Sequence, residues 1–209
     1  MGRIIYWGLS MVMLLMVSIS QAWSKTPSNT INNIGGIYLT SDDYLKDSIS
    51  VRVDFSKREK LYFDNFFIRP YISISKRNQK VRYYKQDIFA VKTPKGEVYR
   101  FYNDNAYRID ERETICIYSR QENVQVLSPY NRLPRYAKYQ RKTSCFFSLR
   151  PDSPVYPLSP DNLLIAMAHE NNPAFQHLDQ LLKDSTDLTV YDQQAGMFRV
   201  NVLLKRAVR

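Results

Sequence analysis

Between residues 50 and 118 the chain repeatedly switches between short runs that alternate apolar with polar side chains and clusters of turn-forming residues. That rhythm leaves few folds open. Side chains of a strand project to opposite faces with period two, so an alternating run makes a half-buried strand. A short break then returns the chain antiparallel to itself. Val51, Val53 and Phe55 share one face of such a run, with Arg52 and Asp54 on the other. Tyr71-Ile72-Ser73-Ile74-Ser75 alternates in the same way, breaks at Arg77-Asn78-Gln79, and finds a return partner in Val81-Arg82-Tyr83-Tyr84. Ile88 to Lys92 and Val98 to Tyr102 flank Thr93-Pro94-Lys95-Gly96. Proline presets the second position of a type I turn and glycine takes the positive φ of the bulge after it, which predicts a hairpin. Asn103-Asp104-Asn105 supplies the next turn, Tyr107 to Ile109 a short strand, and Thr114 to Tyr118 another beyond a charged corner.

Ile37 to Thr40 begins the series and is followed by a polar turn at Ser41-Asp42-Asp43. Gln121 to Lys142 has no sustained period and reads as a long loop, after which Cys145-Phe146-Phe147 resumes strand character. The tail changes to helical spacing. Ser159-Pro160-Asp161 combines an N-cap, a first-turn proline and an acid at the positive helix end. Leu163 to Ala168 is the apolar body, and Asn171-Asn172-Pro173 stops it. Phe175, Leu178 and Leu182 mark a second helix. Tyr191 to Leu204 fits a third through Met197, Val200, Leu203 and Leu204, with a strand over Phe198 to Val202 as the alternative. The expectation is an α+β protein. A curved antiparallel β-sheet or partly open barrel occupies residues 36–155, and a two- or three-helix tail over 156–209 packs on it.

The amino end argues for export. Arg3 makes a positive n-region, Ile4 to Ile19 carries no charge, and apolar density peaks at Met11 to Val17. Small-x-small sites follow at Ser20-Gln21-Ala22 and Ala22-Trp23-Ser24. This is the pattern of a cleavable signal peptide over residues 1–24, and it implies a periplasmic or extracellular protein. The alternative is an uncleaved N-terminal anchor, since the run is borderline in length for a bilayer span. Residues 25–35 are polar and read as a flexible leader. In an oxidising compartment Cys116 and Cys145 suggest one disulfide, with two buried thiols as the alternative. Pairing of Thr114 to Tyr118 with the strand at Cys145 would bring them together.

The 209-residue chain carries a formal charge of +10, and signal cleavage removes only one of its cations, Arg3. A basic surplus in an exported protein points to an anionic envelope polymer, a lipid surface or another envelope protein as partner; export argues against nucleic acid. No oligomeric state follows. The cations gather where Arg132, Arg135, Lys138, Arg141 and Lys142 interleave with Tyr130, Tyr136 and Tyr139. Rings among cations suit stacking and charge pairing on a polymer. The plainer reading is a solvated loop whose tyrosines pack down on the sheet.

Signatures of chemistry are sparse. His169-Glu170 opens like a zincin motif, yet Pro173 stands where the second histidine belongs. The chain has no G-x-S-x-G elbow and no Cys-x-x-Cys, and beyond the signal segment its glycines are Gly35, Gly36, Gly96 and Gly196. Those glycines form no phosphate-binding loop, so no cofactor is implied. Acids at Asp42-Asp43 and at Asp110, Glu111 and Glu113 lie in expected turns. The function expected is a non-catalytic envelope protein with a binding or scaffolding role. An exported hydrolase using such carboxylates is the alternative.

The run Gly36-Ile37-Tyr38-Leu39-Thr40-Ser41-Asp42-Asp43-Tyr44 resembles the opening of a group of exported proteins of Bacteroidetes-type bacteria with no assigned activity. Asp87-Ile88-Phe89-Ala90-Val91, Gly96 to Tyr102, Phe175 to Leu182 and Val190-Tyr191 leading to Phe198-Arg199-Val200-Asn201 are similar as well. The group has a glycine where this chain has Ala90, and the loop rich in Arg and Tyr is not one of its features. The resemblance implies export and a shared architecture, and it brings no catalytic residues.

Overall fold

Local turn chemistry sets much of the strand order. The computed structural model describes residues 33–63, 69–77, 79–126, 138–170, 180, 182 and 187–207. The signal segment and most of the leader lie outside them. Strand β1 (Ile34–Tyr38) starts two residues before the expected boundary. A short helix, α1 (Ser41–Leu45), replaces the expected polar turn. Thr40 Oγ1 accepts from Asp43 N at 3.1 Å while Asp43 Oδ2 accepts from Thr40 N at 3.2 Å, a capping box that converts the turn into a helix start. Strand β2 (Val51–Asp54) then returns beside β1. Gly36 makes that approach possible: its φ is +146°, and a Cβ there would lie 2.0 Å from the Val51 carbonyl oxygen.

Strands β3 (Lys60–Tyr62), β4 (Tyr71–Lys76) and β5 (Gln79–Tyr84) follow. Next come β6 (Ala90–Lys92), β7 (Val98–Tyr102) and β8 (Asn105–Arg112). The Thr93-Pro94-Lys95-Gly96 hairpin forms as expected between β6 and β7, with Gly96 at φ +80° and Gly96 N donating to Thr93 O at 2.9 Å. Asn103 and Asp104, both at positive φ, make the two-residue turn from β7 to β8. The charged corner continues β8, which carries a bulge between Ile109 and Glu111.

The strands do not stay in one sheet. Strand β1 lies between β2 and β6, in an open, curved antiparallel sheet of eight strands ordered β11-β10-β9-β8-β7-β6-β1-β2. Here β9 is Cys116–Val126, β10 is Lys138–Ser148 and β11 is Tyr156–Pro157. Strands β3, β4 and β5 form a separate three-stranded sheet. Ile72 and Ile74 of β4 bury against Ile37, Val53, Val91 and Phe101 of the larger sheet, so the apolar phase of the alternation faces inward. Each such side chain contributes about 1.5–3 kcal/mol when fully buried.

The expected loop over residues 121–142 is corrected at both ends. Strands β9 and β10 pair without interruption from Cys116↔Ser148 to Val126↔Lys138. Gln121, Asn123, Gln140, Arg141 and Thr143 are exposed. Strands solvated on both faces show no apolar period, so their backbone ladder leaves no mark in the hydropathy pattern.

At its base the same hairpin is buried on both faces. Ile115, Ile117 and Phe147 pack on one side with Leu163, Ala166 and Met167 of helix α2 (Pro160–His169) and Val200, Leu203 and Leu204 of helix α3 (Arg199–Ala207). Cys116, Tyr118 and Phe146 pack on the other with Tyr107 and Val155. The α+β expectation of an antiparallel sheet with a helical tail packed against it is met. Its details shift in the tail: strands β12 (Tyr191–Asp192) and β13 (Met197–Phe198) form a small hairpin before α3, so the helix begins at Arg199. Leu182, of the expected second helix, is helical and buried in the core; residues 171–179 lie outside the described residues.

The expected disulfide is also corrected. Cys116 and Cys145 are free. The predicted strand pairing occurs, but its register sets Cys145 opposite Ser119 and Cys116 opposite Ser148. Three positions of offset place the two side chains on opposite faces of the sheet, where no rotamer can join them.

Candidate functional site

Arg132, Arg135 and Tyr136 of the expected cationic loop lie outside the described residues, as do Tyr130 and the side chains of Lys138 and Tyr139. Arg141 and Lys142 sit on β10 opposite Asn123 and Glu122, and adjacent strand positions face opposite ways. Burial pushes the Glu122 carboxyl up, but hydrogen bonds from Ser144 and Arg120, with the nearby Lys142 charge, hold it below the usual carboxylate range. The hairpin therefore balances its cations with an acid.

The acids considered for hydrolysis are engaged elsewhere. Glu111 accepts from Phe198 N at 2.7 Å and from the Asn201 amide, and Asn201 Oδ1 accepts from Ile115 N at 2.9 Å. Together they seat the start of α3 against β8 and β9. Asp110 takes Arg108 Nε at 2.7 Å, Glu113 takes Lys205 Nζ at 2.8 Å, and Asp43 caps α1 and accepts Ser50 Oγ at 2.8 Å. Asp42 lies beside it in the first turn of α1. His169 is exposed in the last turn of α2, and Glu170 beyond it takes Arg150 Nη1 at 2.9 Å. Burial raises both the Cys116 and the Cys145 thiol, which keeps them protonated at neutral pH. Among the described residues, no group of three His, Cys, Asp or Glu gathers closely enough to hold a metal ion.

Two arginine–tyrosine constellations stand out. The first is buried. Arg100, at 3% exposure, donates from Nη1 to Tyr118 Oη at 2.9 Å and Ser148 Oγ at 3.1 Å, and from Nη2 to Ser153 O at 2.7 Å. Its guanidinium also lies 5.4 Å from the Phe89 ring centre and 5.6 Å from that of Tyr102. Among the described residues its hydrogen-bond partners are neutral oxygens, and its Nε is buried without a partner. Desolvation pushes the Tyr118 hydroxyl far above its ordinary value, so it stays protonated.

The second constellation lies on the three-stranded sheet, exposed along its two outer strands and with Ser73 of the central strand buried at 4%. Registers Lys60↔Ser75↔Lys80, Tyr62↔Ser73↔Arg82 and Tyr71↔Tyr84 define its outer face, opposite to the one that buries Ile72 and Ile74. Every position on that face is Tyr, Ser, Lys or Arg, with no acid among them. Tyr62 and Tyr84 are half exposed, at 49% and 51%. Lys80 Nζ lies 4.8 Å from the Tyr62 ring centre, Arg82 lies 4.8 Å from that of Tyr71, and Tyr71 meets Tyr84 edge to face at 6.4 Å. A pocket of about 260 Å³ opens here, lined by Tyr62, Arg69, Tyr71, Ser73, Lys80 and Lys85 among others, none of them acidic. Lys85 is 5% exposed. Its backbone N donates to Pro70 O at 2.8 Å, and its Nζ donates to Asp104 O at 3.5 Å and lies 5.7 Å from the Phe101 ring centre. Among the described residues the pocket lining carries ammonium, guanidinium and hydroxyl donors and no carboxylate, a set of side chains suited to an oxyanion.

Sequence reasoning missed this face. Its signal is the second phase of an alternation that was legible: Tyr71, Ser73 and Ser75 interleave with the isoleucines, and Lys80, Arg82 and Tyr84 interleave with Val81 and Tyr83. Register alone sets Tyr62, Ser73 and Arg82 in one row. No family model, curated protein or solved structure matches the chain.

Proposed function

We propose that this is an exported, non-catalytic binding protein of the envelope, and that it takes an anionic partner on the outer face of its three-stranded sheet. The observation that carries the reading is that face: tyrosines, serines and cations at every described position, no carboxylate among the described residues, and a pocket lined in part by Arg69, Lys80 and Lys85. A solvated sheet face ordinarily mixes both signs of charge, whereas an acid-free one concentrates positive potential over a small area. The basic balance of the chain and the export pattern at its amino end agree with a partner in the envelope. A convergent set of acids would favour hydrolysis; this pocket presents donors.

The test is binding of the mature protein to a simple soluble polyanion, inorganic polyphosphate, over a salt series. Binding is expected to weaken as salt rises. The pair Lys80→Gln and Arg82→Gln is expected to weaken it more than Arg141→Gln and Lys142→Gln on the hairpin. Equal losses from the two pairs, or binding indifferent to salt, would contradict the reading.

A further inference from the structure

Resting on the anion-binding reading and extending it to a ligand class, we propose that the outer face of β3, β4 and β5 docks on an anionic lipid bilayer, with one phosphate-bearing head group in the adjoining pocket. Three observations favour a membrane over a soluble polymer. The exposed groups come from one face of one small sheet, so Lys60, Tyr62, Lys80, Arg82 and Tyr84 can meet a plane together. The rings are not open stacking platforms, because Lys80 and Arg82 already cover the faces of Tyr62 and Tyr71, and Tyr84 meets Tyr71 at 80°. A sugar ring or a base would have to displace those cations. The pocket, at about 260 Å³, holds one head group and not a length of chain; pockets for drug-sized ligands run from about 300 to 1,000 Å³.

The side-chain types suit a head-group layer. Tyrosine presents an apolar ring and a polar tip, and long cations keep their charge at the phosphate level while their stems lie along apolar surface. Among the described residues no acid on the face opposes the lipid phosphates. Each cation near such a surface is worth about fivefold in affinity.

The experiment is flotation of the mature protein with vesicles of phosphatidylglycerol mixed with phosphatidylcholine, with pure phosphatidylcholine vesicles and soluble inorganic polyphosphate as the other arms. Binding to the anionic vesicles and not to the neutral ones is expected. Lys80→Gln with Arg82→Gln is expected to weaken it by about thirtyfold. Tyr62→Ser and Tyr84→Ser are each expected to weaken vesicle binding roughly fivefold, from the apolar area a ring buries at the interface, and to weaken polyphosphate binding less. These side chains are exposed, and an unaltered melting temperature shows that each variant is folded. Polyphosphate binding without vesicle binding, or vesicle binding untouched by the tyrosine variants, overturns the membrane inference and leaves the anion-binding reading standing. Binding to neither anion overturns both.

Discussion

Arg100 and Arg82 stand on neighbouring rings of the same kind and do opposite work. Arg100 is enclosed, donates to Tyr118, Ser148 and Ser153, and ties β7 to β9, β10 and the turn after β10. Arg82 lies across the Tyr71 ring in solvent, beside Lys80 over Tyr62, and ties nothing distant together. A guanidinium buried among oxygens with defined geometry fixes a fold, because removing it strands its acceptors. The same group on an open, acid-free face adds little to stability and leaves its charge available to a partner. Residue type and aromatic company are shared, so burial and hydrogen-bond partners separate the structural arginine from the one proposed to bind.

The comparison breaks first at Arg100. Arg100→Ala is expected to destabilise the protein by about 3 kcal/mol in urea unfolding, since Tyr118, Ser148 and the Ser153 carbonyl lose a buried charged donor. Arg100→Met combined with Tyr118→Phe is expected to recover part of that loss, because fewer polar atoms are stranded. Asn201→Ala follows at about 2 kcal/mol, as the buried N–H and C=O of Ile115 both lose a partner. On the exposed side, Lys80→Gln with Arg82→Gln is expected to change stability by no more than about 0.5 kcal/mol, despite its effect on binding. Equal stability losses at Arg100 and Arg82 would erase the distinction.

Two smaller effects sharpen the account of the frame around these sites. The Tyr38 hydroxyl hydrogen-bonds Asp47, and with Lys92 Nζ at 3.2 Å it holds the Asp47 carboxyl below its ordinary value despite partial desolvation. A depressed carboxylate contributes stability that is complete above its unfolded pKa of about 3.9 and is lost as pH falls through the lower folded value. Asp47→Asn is therefore expected to lower stability at neutral pH, leave it nearly unchanged below the folded value, and so flatten the acid limb of the stability profile. The cysteines are expected to take two alkyl groups in denaturant without reductant, read as intact mass. Blocked thiols would mean a bridge, which the β9–β10 register forbids.

Hairpins whose turns announce themselves were legible: Thr93-Pro94-Lys95-Gly96, Asn103-Asp104 and the Ser159-Pro160 helix start all act within a few residues. What stayed hidden depends on distant partners. Nothing local says that β1 inserts between β2 and β6, or that β3 to β5 leave for a sheet of their own. The outer halves of β9 and β10 carry polar side chains on both faces, so hydropathy reads them as loop. Cys116 and Cys145 could be placed on paired strands but not assigned faces without register. The proposed binding face was hidden for the same reason: Tyr62, Ser73 and Arg82 lie on three different strands and are adjacent only across the sheet.

The most direct test of the central claim is backbone chemical-shift mapping of the mature protein titrated with inorganic phosphate. The account predicts shifts concentrated at Tyr62, Arg69, Ser73, Lys80 and Lys85, with the amides of Arg141 and Lys142 unmoved. Shifts confined to the β9–β10 hairpin, with the three-stranded sheet silent, would contradict it.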